Sequence, residues 1–168
     1  MAIVLVRIDD RYIHGQVTYS AVKASGANEI WVVSDKLYKN PVLKKIQLAV
    51  APKGVKVEIL SLSDAIEKIK SREHEEEDRR IFIITESPKD TLTLIDNGLK
   101  IDWINVGAMA WKQGKVRIAP TVHVDGEDIK YFMELVDRGI DLIYRQYHLT
   151  VAPPVNLNSK IRELAKKI

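Results

Sequence analysis

The sequence predicts an α/β protein: a single domain over residues 1–168, built on a doubly wound, mostly parallel sheet with helices on both faces. Three observations lead there. Short apolar runs alternate along the chain with amphipathic segments at the spacing of βαβ units. The first run, Ala2 to Val6, is rich in Ile, Val and Leu without polar alternation, as in a strand buried on both faces at the centre of a parallel sheet. The chain's 168 residues, 46% of them hydrophobic, are enough for one well-packed domain and few for two.

The elements follow in order. After the first strand, Gln16 to Ser25 reads as a short helix ending near Gly26. Glu29 to Ser34 is a second strand, and Leu37 to Val50 a helix interrupted early by Pro41. Val55 to Leu60 is the third strand, and Ser63 to Arg72 a helix with Ser61 or Ser63 as its cap. The charged run from His74 to Arg80 reads as a solvated loop or helix end. Ile81 to Thr85 is the fourth strand, after which Ser87-Pro88 opens a helix that closes at Asn97-Gly98. Ile101 to Val106 is the fifth, and Val116 to Ile118 and Val122 to Val124 are short strands parted by Ala119-Pro120. Asp125 to Arg138 has acidic residues at its start and arginine at its end, which suits a helix dipole. Ile140 to Tyr147 is a last strand, and Leu157 to Ile168 a final helix beyond Pro153-Pro154.

Composition narrows the function. With no cysteine, neither a disulfide framework nor a thiolate metal site is available, and a reducing, cytoplasmic setting is expected. The N-terminus lacks the basic region and cleavage site of a signal peptide, and no stretch approaches the roughly 18 apolar residues of a membrane span. Direct membrane insertion is therefore not expected. A net charge of +3 without basic clusters interleaved with aromatics argues against nucleic acid, but suits a partner or substrate carrying phosphate.

Chemistry concentrates in Arg7-Ile8-Asp9-Asp10-Arg11-Tyr12-Ile13-His14-Gly15-Gln16-Val17. His14 falls at the strand-to-helix turn, where backbone N–H groups lack partners and the macrodipole is positive. A phosphoryl group on His14 could be held there by the N–H groups of Gly15 and Gln16 and by the planar forks of Arg7 or Arg11. Neutral imidazole is a competent nucleophile near neutral pH. Asp9 or Asp10 could fix its tautomer by accepting from the nitrogen that does not react. In such sheets ligands bind beyond the carboxyl ends of the strands, where strand order reverses. That rule gathers Ser34-Asp35, Thr85-Glu86-Ser87 and Asn105-Val106-Gly107 on the same edge around the loop bearing His14, with Asp9, Ser34, Asp35, Thr85, Ser87 and Gly107 as active-site rim.

This stretch resembles the signature of the IIB component of the mannose/fructose/sorbose family of the bacterial phosphoenolpyruvate-dependent sugar phosphotransferase system. Ala51-Pro52-Lys53-Gly54-Val55, Asn105-Val106-Gly107-Ala108-Met109 and Gly139-Ile140 resemble the family in the same order, so the likeness spans essentially the whole chain. The resemblance implies a protein-histidine phosphotransferase. His14 would take phosphate on Nδ1 from a phosphohistidine of a IIA partner and pass it to a sugar delivered by the IIC and IID membrane components. Asp10 and Arg11 would join His14 in catalysis, Arg11 touching the phosphate directly. It also implies a cytoplasmic protein associated peripherally with its transporter, allows a homo-oligomer, and requires no cofactor or metal, because the N–P bond already carries the transfer potential.

Other readings are weaker. Asp9-Asp10 is similar to the acidic pair of a receiver domain, but no acceptor aspartate ends the third strand, where Leu60-Ser61 stand. Gly107 to Lys115 lacks P-loop spacing. Gly107 either makes a turn or lets the backbone approach a phosphate. An enzyme using His14 as general base would work without a partner protein. His74, His123 and His148 have no neighbours at metal-ligand spacing and read as structural or solvated.

Overall fold

The computed structural model describes residues 2–147 and 153–168; His148 lies outside them. In chain order the elements are β1 (Ile3–Asp9), α1 (Gly15–Ser25), β2 (Glu29–Val33), α2 (Asp35–Tyr38), α3 (Pro41–Ala49), β3 (Lys56–Leu60) and α4 (Leu62–Lys70). They continue with β4 (Ile81–Thr85), α5 (Pro88–Asp96), β5 (Trp103–Ala108), β6 (Val116–Ala119), β7 (Val122–Val124), α6 (Gly126–Asp137), β8 (Asp141–Tyr144), β9 (Val155–Asn156) and α7 (Asn158–Ala165). Seven strands form one sheet in the order β3-β2-β4-β1-β5-β8-β9, and β6 and β7 make a separate antiparallel pair. All pairings in the large sheet are parallel except β8 with β9.

Both faces are covered, which is why the strand sequences are apolar without alternation. On one face Ala21 of α1 and Leu37 of α2 pack against Leu5, Ile30, Val32, Phe82 and Ile84. On the other, Leu92, Phe132 and Ile161 from α5, α6 and α7 pack against Val6, Ile8, Trp31, Val33 and Ile83. The connections diverge at β1. The chain leaves β1 through α1 toward β2 on one side, whereas β4 leads through α5 to β5 on the other. The carboxyl end of β1 is therefore the switch point of the sheet, and Asp9 stands on it.

Several boundaries differ from the sequence reading for identifiable reasons. Pro41 divides the expected helix in two: lacking an N–H, it occupies the first turn of α3, where Asn40 caps the helix by accepting from Leu43 N–H. Ser61, not Ser63, caps α4. β5 runs on to Ala108, past the expected end at Val106. The two-residue β9 carries too short a pattern to have been read. The charged run is largely exposed, as expected of a solvated loop or helix end, except at Arg79. Arg79 donates from Nε and Nη2 to the buried Glu29 carboxylate at 3.0 and 2.7 Å and lies over the Trp31 ring.

Candidate functional site

Arg7 and Asp9 are two residues apart on β1 and so share a face of the strand. Both are buried, at 2% and 0% exposure. Arg7 Nε donates to Asp9 Oδ2 at 3.1 Å, and Nη2 lies 3.0 Å from the same oxygen without hydrogen-bond alignment. Nη1 donates to the Arg145 carbonyl at 3.1 Å and to Asn105 Oδ1 on the neighbouring strand. A Cβ on Gly107 would overlap the guanidinium. The expectations for these two positions are therefore corrected. Gly107 leaves room for the Arg7 side chain rather than for a phosphate, and Arg7 is enclosed beneath Asp9 rather than presented to a ligand. Burial draws the guanidinium pKa below its ordinary value against the opposing pull of Asp9.

Asp9, expected at the rim, is the hub. Its Oδ2 lies 2.8 Å from His14 Nε2, and its Oδ1 accepts from Arg11 N–H at 3.0 Å with Arg11 Nε at 3.6 Å. Burial pushes the carboxyl pKa up, but the His14 hydrogen bond and the charge of Arg7 outweigh it and hold Asp9 below its ordinary value. Asp10, expected as the catalytic carboxylate, does something else: its Oδ2 accepts from Ala110 N–H at 2.6 Å, tying the loop to the end of β5. Asp9 is the last residue of β1 and Asp10 lies in the turn that follows, and of the two Asp9 meets the ring.

His14 is the N-cap of α1, with its side chain 22% exposed. Its N–H donates to Thr18 Oγ1 at 3.1 Å, closing the first turn from outside. With Nε2 against Asp9, Nδ1 is the ring nitrogen left without a partner among the described residues. Gly15, at φ 44°, and Gln16 are the first two residues of α1, whose opening N–H groups have no partner within a helix. Arg11 is half exposed, with its side chain at 49%.

Tyr12 is the strained residue of the loop, at φ 61° in a region that aromatic residues rarely adopt. Its N–H donates to the Asp9 carbonyl at 3.1 Å, and its hydroxyl donates to Glu86 Oε2 and lies 3.2 Å from Ser34 Oγ. Burial, followed by the bond to Glu86, raises the phenol above its ordinary pKa. Glu86 was expected on this edge as part of Thr85-Glu86-Ser87, without a role of its own. Its position at the end of β4, between Thr85 and Ser87, was the available signal.

The remaining rim positions build edges. Ser34 caps α2 through Leu37 N–H at 3.0 Å, Asp35 accepts from Leu62 N–H at 2.9 Å, and Ser87 caps α5 through Asp90 N–H at 3.1 Å. Thr85 is buried and shares a 2.6 Å bond with Thr91. Beside the loop lies a groove of about 450 Å³ lined by Arg11, Tyr12, Lys36, Met109, Ala110 and Lys112. A larger cavity, about 550 Å³, opens at the opposite end of the sheet near Ile69, Lys70 and Lys100, far from this chemistry. Of the other histidines, His123 Nδ1 meets the Met109 carbonyl at 3.2 Å and His74 Nε2 lies 3.8 Å from Glu75.

The arrangement is a histidine at a helix start, with one nitrogen tied to a buried carboxylate, the other without a partner among the described residues, and an arginine on the same carboxylate. Residues 3–163 match the family described as the sorbose subfamily IIB component of the phosphotransferase system. The sorbose-specific EIIB component of Klebsiella pneumoniae is 36% identical over 165 residues, which is 98% of each chain. The mannose-specific EIIAB component of Escherichia coli K12 is 35% identical over 166 residues, covering 99% of this chain and 50% of that one. The crystal structure of the IIBSor domain of the K. pneumoniae sorbose permease superposes with a TM-score of 0.88 at 36% identity, covering 97% of this chain and 98% of that one.

Proposed function

The chain belongs to the sorbose subfamily of IIB components of the sugar phosphotransferase system, and on that premise we propose that His14 carries its phosphoryl group on Nδ1. As a IIB component it is a phosphotransferase, a phosphoryl carrier in sugar transport. Among its described residues no helix is long and apolar enough to cross a membrane. The donor in this proposal is a phosphohistidine of a IIA partner, and the acceptor is a sugar taken up through IIC and IID. The chain works at the cytoplasmic side, against those membrane components.

The observation that carries the proposal is the 2.8 Å contact between His14 Nε2 and Asp9 Oδ2. A carboxylate at that distance accepts, so Nε2 bears the proton and the lone pair stands on Nδ1. In the transfer, that pair forms a new N–P bond while the donor's N–P bond breaks, its electrons returning to the donor imidazole. The His14 ring becomes positive as the bond forms, and the Asp9 charge beneath Nε2 stabilises it. Arg11, half exposed with its Nε 3.6 Å from the Asp9 carboxylate, and the N–H groups of Gly15 and Gln16 receive the phosphoryl oxygens. Arg7 acts indirectly by holding Asp9.

The test is to incubate the protein with phosphoenolpyruvate, the general phosphotransferase proteins and a IIA, and to map the acid-labile phosphate by peptide analysis. Label on His14, absent from a folded His14→Ala variant, is expected. Label on that variant refutes the assignment.

A further inference from the structure

α3 turns a polar residue inward beside Leu43. Its buried residue is Gln47, 9% exposed, whereas Val42, Ile46 and Leu48 on the same helix are half or more exposed. Burying a primary amide is unfavourable unless it is hydrogen-bonded. The compensation is specific: Gln47 Oε1 accepts from the backbone N–H of Ile13 at 2.7 Å. Ile13 immediately precedes His14, and its own side chain is buried at 2% among the residues under α1.

Of the N–H groups from Arg11 to His14, that of Ile13 is the one whose partner comes from a distant helix. Asp9 holds Arg11 N–H, its carbonyl holds Tyr12 N–H, and Thr18 holds His14 N–H. Between the left-handed Tyr12 and the helix start, Ile13 N–H would be a buried donor without a partner if Gln47 were not there. We infer that Gln47 is a positioning residue for phosphoryl transfer. It pins the peptide leading into His14, so that the ring meets Asp9 on one side and the incoming phosphorus in line on the other. The inference rests on His14 being the phosphorylated residue. Reaction geometry tolerates little error, and a shift of about 1 Å remote from the reacting atoms can cost roughly 10²-fold in rate.

Three substitutions in the full chain test it. Gln47→Met keeps the length and removes the acceptor, Gln47→Asn keeps the amide but withdraws it by one carbon, and Gln47→Glu keeps an oxygen that accepts whether or not it is protonated. Single-turnover transfer from a phosphorylated IIA is measured against donor concentration, together with amide hydrogen exchange at Ile13 and the thermal midpoint.

The Met and Asn variants are expected to exchange Ile13 faster and to lose on the order of 10-fold or more in the saturating rate. Their half-saturating donor concentration should hold, and the final label should still be on His14. Gln47→Glu restores most of the rate. A merely structural role would lower the midpoint without moving the saturating rate of the folded fraction. Wild-type saturating rates in both acceptor-deficient variants, a change confined to the half-saturating concentration, or a Glu variant as slow as Met would each overturn the inference. Wild-type protein labelled somewhere other than His14 would instead overturn the function reading beneath it.

Discussion

Asp9 carries more of the site than any other residue, and two substitutions separate what it does for stability from what surrounds it. Asp9→Ala leaves Arg7 buried without its carboxylate, a change expected to cost about 3–5 kcal/mol in urea unfolding. Because Asp9 lies below its ordinary carboxyl value of 3.8, its contribution is complete above that value and is lost as pH falls through the depressed one. Stability of the wild type should therefore fall more steeply below about pH 4 than that of the variant; parallel acid slopes would count against this. Arg11→Ala is expected to do the reverse. Its side chain is half exposed and 3.6 Å from Asp9, so stability should stay within about 0.5 kcal/mol, while single-turnover transfer slows by about 10²-fold. His14 and Arg11 stand out in the sequence because both sit in a long, specific motif. The choice of Asp9 over Asp10 was not legible there, because alternation at a strand end is decided by where the following turn begins.

At the scale of elements, the β1-to-α1 connection is held by pieces that are far apart in sequence. Asn105 and Gly107 of β5 shape the space for Arg7, Glu86 after β4 takes the Tyr12 hydroxyl, and Gln47 of α3 takes the Ile13 amide. Gly107→Ala is expected to displace the guanidinium and to destabilise by about 1–3 kcal/mol or more, with loss of transfer. A variant with wild-type stability and an unmoved Arg7 in its crystal structure would contradict this. The strands and most helices could be read from apolar runs, caps and prolines, because those signals are local. The Pro41 break was legible as an interruption, though not as two separate helices. Tyr12 in a left-handed turn, the bond that Glu86 makes to it, and Gln47 could not be read, since each acts through a partner 34 or more residues away or through backbone geometry that no residue type announces.

For the whole molecule, the sheet order places one strand end at a switch point, and the doubly wound pattern was enough to locate that edge in advance. What the pattern could not supply was depth. The same edge holds residues that cap helices, such as Ser34 and Ser87, and residues that face the ring, and only packing distinguishes them. The packing converges on one contact, His14 Nε2 against Asp9, and in the proposed function that leaves Nδ1 to react. The most direct test is nitrogen-15 and phosphorus-31 NMR of the protein labelled in its histidines and phosphorylated through a IIA. Phosphorus coupling to His14 Nδ1, with Nε2 still protonated, is the result expected. Coupling to Nε2 would mean that the Asp9 contact is broken in the carrier state, and would contradict the account.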